Sequence, residues 1–310
     1  SNPWGVDFND LGHAFQTACV IPHLYHVIPG GRYQRQAGQH FNPSTFDDIK
    51  TIARHRHWAG DQWNDADQAA SDAIGGGHAH SGACIYLGGA WPEHHRGKLF
   101  MNNIHGDRLN EDRLAPAGSG YVGDGEPDFL FANDSWSQFI SLQVGPDGQM
   151  VLIDWYDQTQ CHQQRDAVDR SNGRIFKVVY ENAATVSVHL GGKSDGELVA
   201  LLDHRNDWFA RQARRLLQER AAAGRLAADT PRLLEQKLGA APTTPNKLQV
   251  IWALHVTDQL DEPALVRLLD DPDPAVRGWA IQLGAERRNV SPALLERFAS
   301  LAAEDPSPVV

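Results

Sequence analysis

One pattern recurs three times in the first half of the chain: an apolar run, a tight turn, and a second apolar run. The clearest copy is Ile140-Ser141-Leu142-Gln143-Val144, then Gly145-Pro146-Asp147-Gly148, then Gln149-Met150-Val151-Leu152-Ile153. Gly, Pro and Asp supply the backbone angles that a hairpin turn needs, and the flanking runs are strand-like. The first copy is Trp4-Gly5-Val6-Asp7-Phe8, turning through Asn9-Asp10-Leu11-Gly12 into His13-Ala14-Phe15-Gln16. The middle copy is Ala83-Cys84-Ile85-Tyr86-Leu87, with a longer turn through Trp91-Pro92 and Arg96-Gly97 into Lys98-Leu99-Phe100-Met101. Hairpins repeated at such spacing predict blades of a β-propeller in preference to a β-sandwich. A propeller has at least four blades, so residues 1–182 are expected to hold its last blades, with the others upstream of Ser1. The run Asn172-Gly173-Arg174-Ile175-Phe176-Lys177 reads as a turn followed by a closing strand. Asn42-Pro43-Ser44 reads as the cap of a short helix from Thr45, and Gly75-Gly76-Gly77 as a loop returning to the sheet.

Composition changes along the 310 residues: eleven of the 15 histidines precede residue 106, and after residue 195 the chain turns rich in Leu, Ala and Arg. There, Leu265 to Leu269, Asp270-Asp271-Pro272-Asp273-Pro274 and Ala275 to Leu283 read as helix, acidic turn, helix. The 198–203 and 208–217 segments repeat the plan, and Leu294 to Pro308 begins it again. The fold class expected is therefore multidomain β + α: a partial β-propeller over 1–182, a linker over 183–194, and a HEAT-like solenoid over 195–310, stopping inside a repeat. The net charge of −11 and the lack of a basic stripe argue against nucleic acid. No apolar run is long enough for a transmembrane helix. Cys19, Cys84 and Cys161 form no zinc or haem pattern, and their pairing stays open.

Several polar residues sit where loops meet strand ends. His78 and His80 are framed by Gly77 and Gly82 and, on a strand, would share one face. They read as a proton acceptor or ligand anchor, or as structural histidines bonding neighbouring loops. His105-Gly106-Asp107-Arg108 ends an apolar run; Arg108 could grip a carboxylate, or pair with Asp107 or Asp112. Asp154 ends another strand and could bind a cation such as calcium, or serve as a turn aspartate. Arg174 could reach the axis or pair with an acid on the sheet. His23 with His26, His55 with His57 (and Asp61 beyond), and His94 with His95 lack any complete metal-ligand spacing and read as packing or surface residues.

Three stretches carry a family resemblance: Gly77-His78-Ala79-His80-Ser81-Gly82, the Trp91 to Phe100 run, and Asn103-Ile104-His105-Gly106-Asp107-Arg108. Together with Pro22 to His26, Pro29 to Gln34, Gly118 to Gly123 and Asn172 to Lys177, they resemble sugar-dehydrogenase-type propellers. More closely, the chain resembles the large membrane-bound dehydrogenase proteins of planctomycete-type bacteria, over nearly all of residues 1–182. The resemblance implies a propeller related to quinoprotein sugar dehydrogenases dependent on pyrroloquinoline quinone (PQQ) and calcium. It also implies HEAT repeats after the propeller, often a C-terminal cytochrome c domain, and a periplasmic or cell-envelope location. Without a CxxCH motif, haem c would lie outside this segment. On this basis His80 and His105 are the catalytic candidates within the chain, although the family's catalytic histidine is expected on a blade upstream. Arg108 and Arg174 are the candidates for holding the quinone, and Asp154 for the metal. The substrate implied is a sugar or related alcohol, with electrons passing to a cytochrome c. The alternative is a non-catalytic propeller and HEAT module that binds glycan or protein.

Overall fold

The computed structural model describes residues 2–38, 42, 44, 47–60, 67–158, 168–169, 171–181, 186–286 and 288–310. Cys161, Asp61 and the helix expected from Thr45 lie outside the described residues. The chain forms two compact units, Ser1–Thr185 and Val186–Val310.

Among the described residues the first unit holds three antiparallel sheets. The first comprises β1 (Pro3–Phe8), β2 (Ala14–Ala18) and β3 (Leu24–Val27) in that order. The second runs β4 (His80–Ile85), β5 (Leu99–Asn103), β6 (Arg108–Ala117) and β7 (Gly120–Gly125), with the short β8 (Leu130–Phe131) also paired to β6. The third contains β9 (Phe139–Val144), β10 (Met150–Asp154) and β11 (Arg174–Val178), with β10 in the middle. All three expected hairpins are present: β1/β2, β4/β5 and β9/β10. β11 extends the third sheet by pairing with β10. The helix α1 (Gln68–Asp72), capped by Asp67, lies in the long β3–β4 connection.

The first strands of the three sheets lie side by side. Gly5 meets Gly82 backbone to backbone, where any Cβ would collide. Asp7 Oδ2 accepts from Ile85 N at 2.7 Å, and Ser81 Oγ donates to Phe139 O at 2.8 Å. The second sheet is therefore the middle layer, and the alternation of side chains along its strands supplies two cores. Ile85, Leu99 and Met101 face Phe15 and Leu24 of the first sheet. Cys84, Tyr86 and Phe100 face Phe139, Leu142, Met150 and Leu152 of the third. Burial on both faces explains why these strands read as continuous apolar runs. Tyr86 is fully buried; its hydroxyl donates to Gly148 O and accepts from the amides of Gly89, Ala90 and Trp91, so the turn between β4 and β5 is fixed to the third sheet. Among the described residues the sheets do not close into a ring. At either side an apolar face is exposed: Trp4, Val6 and Phe8 on β1, and Ile153 and Ile175 on β10 and β11. Cys19 and Cys84 are buried, and Cys19 Sγ donates to His80 O at 2.8 Å.

The second unit is helical: α2 (Asp195–Ala200), α3 (Asp207–Ala222), α4 (Thr230–Gly239), α5 (Thr244–Val256), α6 (Glu262–Leu269), α7 (Pro274–Ala285) and α8 (Pro292–Glu304). Ser194 and Glu197 close a capping box on α2, and Asp261, Asp273 and Ser291 cap α6, α7 and α8 ahead of a first-turn proline. Leu198, Leu202, Ala213, Leu217, Leu234, Val250 and Leu254 form the core. Buried Asp195 accepts from Arg220, Ala227 N and Thr230, tying α2 to α3 and α4. Residues 306–310 are not helical, and Asp305, just past α8, pairs with Arg277. No helix among the described residues is long and apolar enough to cross a membrane.

Candidate functional site

The densest polar cluster lies where the first sheet and the β3–β4 connection meet the middle sheet. His80 opens β4 and is fully buried. Its Nε2 lies 2.8 Å from His57 Nδ1, and His57 Nε2 lies 3.1 Å from His55 Nε2. Asp112, in the middle of β6, faces these rings: its Oδ2 is 3.0 Å from His23 Nε2, and its Oδ1 is 3.2 Å from His55 Nε2 and 3.8 Å from His57 Nε2. His23 precedes β3 and stacks on His57 with ring centroids 4.2 Å apart. Register explains the placement of Asp112: it pairs with Leu99, which faces the first sheet, so its carboxylate does too. His57 and His80 are held well below the ordinary imidazole range, first by burial and then by the neighbouring imidazoles. Burial opposes ionisation of Asp112, but the hydrogen bonds and charge from the histidines outweigh it and hold its carboxyl below the usual carboxylate range. Burial thus keeps His57 and His80 neutral beside a carboxylate held ionised.

A second network surrounds the β5–β6 turn. The His105 ring stands 4.4 Å from that of His78. His78 lies outside β4, so it and His80 do not share a strand face. Arg108 donates to Gly106 O at 2.8 Å and pairs with Asp128 at 2.8 Å and Asp72 at 3.3 Å, which replaces the sequence-local partners Asp107 and Asp112. Asn103 Nδ2 donates to Gly75 O and Gly77 O, so the triple-glycine loop closes over this turn. Gly77 has a φ of +140°, and a Cβ there would stand 2.6 Å from His105 Cβ. Asp107 has its carboxyl pushed up to about 7, first by burial, with Asp134, Asp72 and Asp154 adding to the rise and Arg108 opposing it. A group so placed can exchange a proton near neutrality.

The third network joins β10 and β11. Arg174 pairs with Asp154 at 2.7 Å and Asp134 at 3.3 Å, and its guanidinium lies 3.6 Å over the Tyr156 ring. Asp154 Oδ1 accepts from Gln138 N at 2.7 Å, and Oδ2 lies 3.3 Å from Ser137 Oγ. Asp154 and Arg174 are thus brought together, while His80, and His105 with Arg108, belong to the other two networks. Arg108 and Arg174 as they stand do not fit the carboxylates of a quinone, because each guanidinium is already paired with two aspartates. Asp154 likewise spends both oxygens on protein donors. Sequence reasoning missed His23, His55 and His57 as a group, and missed Asp112 and Asp107. The two-residue step between His55 and His57 was the one local signal.

Residues 1–182 match a family model described as a domain of unknown function, DUF7133. No curated protein matches the sequence. Among solved structures, an oxidoreductase described as a glucose dehydrogenase, from Thermus thermophilus, is similar at 16% identity and a TM-score of 0.36, over 56% of this chain and 44% of that one. The PQQ-bound form of an aldose sugar dehydrogenase from Streptomyces coelicolor is similar at 18% identity and a TM-score of 0.33, over 57% of this chain and 42% of that one. The chain spans less than half the length of either structure. The family match, by contrast, takes in well over half of the 310 residues, from the first hairpin to the end of the third sheet, and the chain belongs to the DUF7133 family.

Proposed function

We propose that the first unit is a sector of a dehydrogenase-type β-propeller, and that the protein it serves is a quinoprotein-type oxidoreductase acting on a sugar or related alcohol. The observation that carries the reading is the fan of three antiparallel sheets with first strands side by side and an apolar face uncovered at each side. A sandwich would cover those faces with its partner sheet; a propeller covers them with the next blade. The resemblance of the His78–Gly82, Trp91–Phe100 and Asn103–Arg108 stretches to sugar-dehydrogenase propellers supplies the chemistry. The cofactor implied is PQQ with calcium, which would supply hydride acceptance when held by residues other than Arg108, Arg174 and Asp154, with a cytochrome c of the periplasm or cell envelope as the electron acceptor. Within this chain, Arg108 and Arg174 brace loops through their aspartates, and Asp107, with its carboxyl near 7, is the group suited to moving a proton. The helical unit serves as a HEAT-like spacer.

The paired arginines favour one other reading, a propeller module that binds glycan or protein without chemistry. The two separate in one experiment. Full-length protein is loaded with PQQ and Ca²⁺ and assayed for dye reduction against a panel of sugars and alcohols. Cofactor-dependent reduction supports the dehydrogenase. Absence of both PQQ binding and reduction would sink it in favour of the binding module.

A further inference from the structure

We propose that His23, His55, His57 and Asp112 form a binding site for a divalent first-row transition ion, with zinc the best fit. One ligand atom from each of the four lies within 4.8 Å of every other. Ligands held at about 2.0–2.1 Å around a tetrahedral ion stand roughly 3.3 Å from one another. Four of the six pairwise separations bracket that value: 3.0 Å for His23 Nε2 to Asp112 Oδ2, 3.1 Å for His55 Nε2 to His57 Nε2, and 3.2 and 3.8 Å from Asp112 Oδ1 to His55 and His57 Nε2.

Protons alone leave this cluster poorly satisfied. His55 and His57 turn Nε2 toward each other, so only one can donate to the other. Asp112 Oδ1 lies 3.2 Å from His55 Nε2 but receives no well-directed hydrogen bond. Buried polar atoms are rarely left so, and His23 and Asp112 are fully buried. A cation at the common point would take a lone pair from each ligand. His23 would then carry its proton on Nδ1 instead of Nε2. His80 fits as the support behind a ligand: by accepting from His57 Nδ1 it fixes the tautomer that turns Nε2 inward. Three imidazoles and one carboxylate suit zinc and its neighbours, whereas calcium requires a shell of oxygens.

The backbone is shaped to admit the rings. Gly75, at a φ of +134°, passes so close that a Cβ would stand 2.5 Å from His57 Cδ2; at Gly125 it would stand 3.0 Å from His55 Cδ2. The ligands come from the turn before β3, from the 53–58 stretch and from β6. An ion here would therefore pin a long connection to the middle sheet. His55 has the most exposed side chain of the four, at 24%, and gives the ion its way in.

This site stands apart from the dehydrogenase reading and is measured without quinone or sugar. Full-length protein is stripped with chelator, then titrated with Zn²⁺ against a chromophoric chelator and separately with Co²⁺. One ion per chain is expected, with the intense visible bands of four-coordinate Co²⁺. His55→Ala, at the most exposed ligand, and Asp112→Asn should each weaken Zn²⁺ binding at least 100-fold. His94→Ala, on an exposed histidine outside the cluster, should leave it unchanged. Substoichiometric uptake by the wild type, a weak six-coordinate Co²⁺ spectrum, or wild-type affinity in both ligand variants would overturn the proposal. Should either variant fail to fold, the wild-type stoichiometry and spectrum decide it.

Discussion

At the scale of single residues, burial changes what a histidine can do. His26 has its pKa lowered to about 4, first by burial and then by His13, whose Nδ1 lies 3.3 Å from His26 Nε2. The unfolded chain takes up that proton near 6.5, so it binds more protons than the fold across the interval between the two values. The stability contributed by neutral His26 is complete above the unfolded value and is lost as pH falls from there toward 4. At pH 4.5 the loss from this group should reach about 2 kcal/mol. His26→Phe keeps a ring against Phe15 and removes the titration. Urea unfolding at pH 7 and pH 4.5 should show a smaller acid loss in the variant than in the wild type. Equal losses would mean that His26 is not a source of the acid sensitivity.

At the scale of elements, the close pass of Gly5 and Gly82 sets the distance between β1 and β4. A methyl group at Gly5 meets backbone, which cannot rotate away. Gly5→Ala should therefore cost about 3 kcal/mol, the upper range for overpacking. Gly191→Ala, with open space around it, should change little. Chemical denaturation of both variants tests this, and a Gly5 variant as stable as the Gly191 variant would contradict it. The elements themselves were readable in the sequence because their signals are local. Turn residues such as Gly145-Pro146-Asp147-Gly148 sit beside the strands they join, and Asp273-Pro274 sits at the start of its helix. The metal-ligand set was not readable for the opposite reason. Positions 23, 55, 57 and 112 come from a turn, an irregular stretch and a strand, and only tertiary packing makes them neighbours. Likewise, Arg108 found its acids 20 and 36 residues away, where no local pattern points.

At the scale of the whole molecule, the two units rest on different kinds of support. The helical unit has capped helices and an aliphatic core. The β unit has a buried polar centre that an ion would satisfy. Binding to the folded state alone raises stability in proportion to the logarithm of ligand excess. Chelation should thus lower the calorimetric transition of the β unit, while the helical transition followed by circular dichroism at 222 nm stays in place. A chelator that shifts neither transition, or both together, would refute this division.

The middle sheet carries a consequence for how this protein can change over time. In β4, every residue but Ala83 is buried, and so is all of β5, whose odd positions Leu99 and Met101 serve one core while Phe100 serves the other. A layer with no wet side offers drift no free sites, and a single inserted residue would trade one set of neighbours for the other along the whole strand. β11, whose residues are all at least partly open to water, leaves more room for change, at Lys177 more than at Arg174, which holds two aspartates.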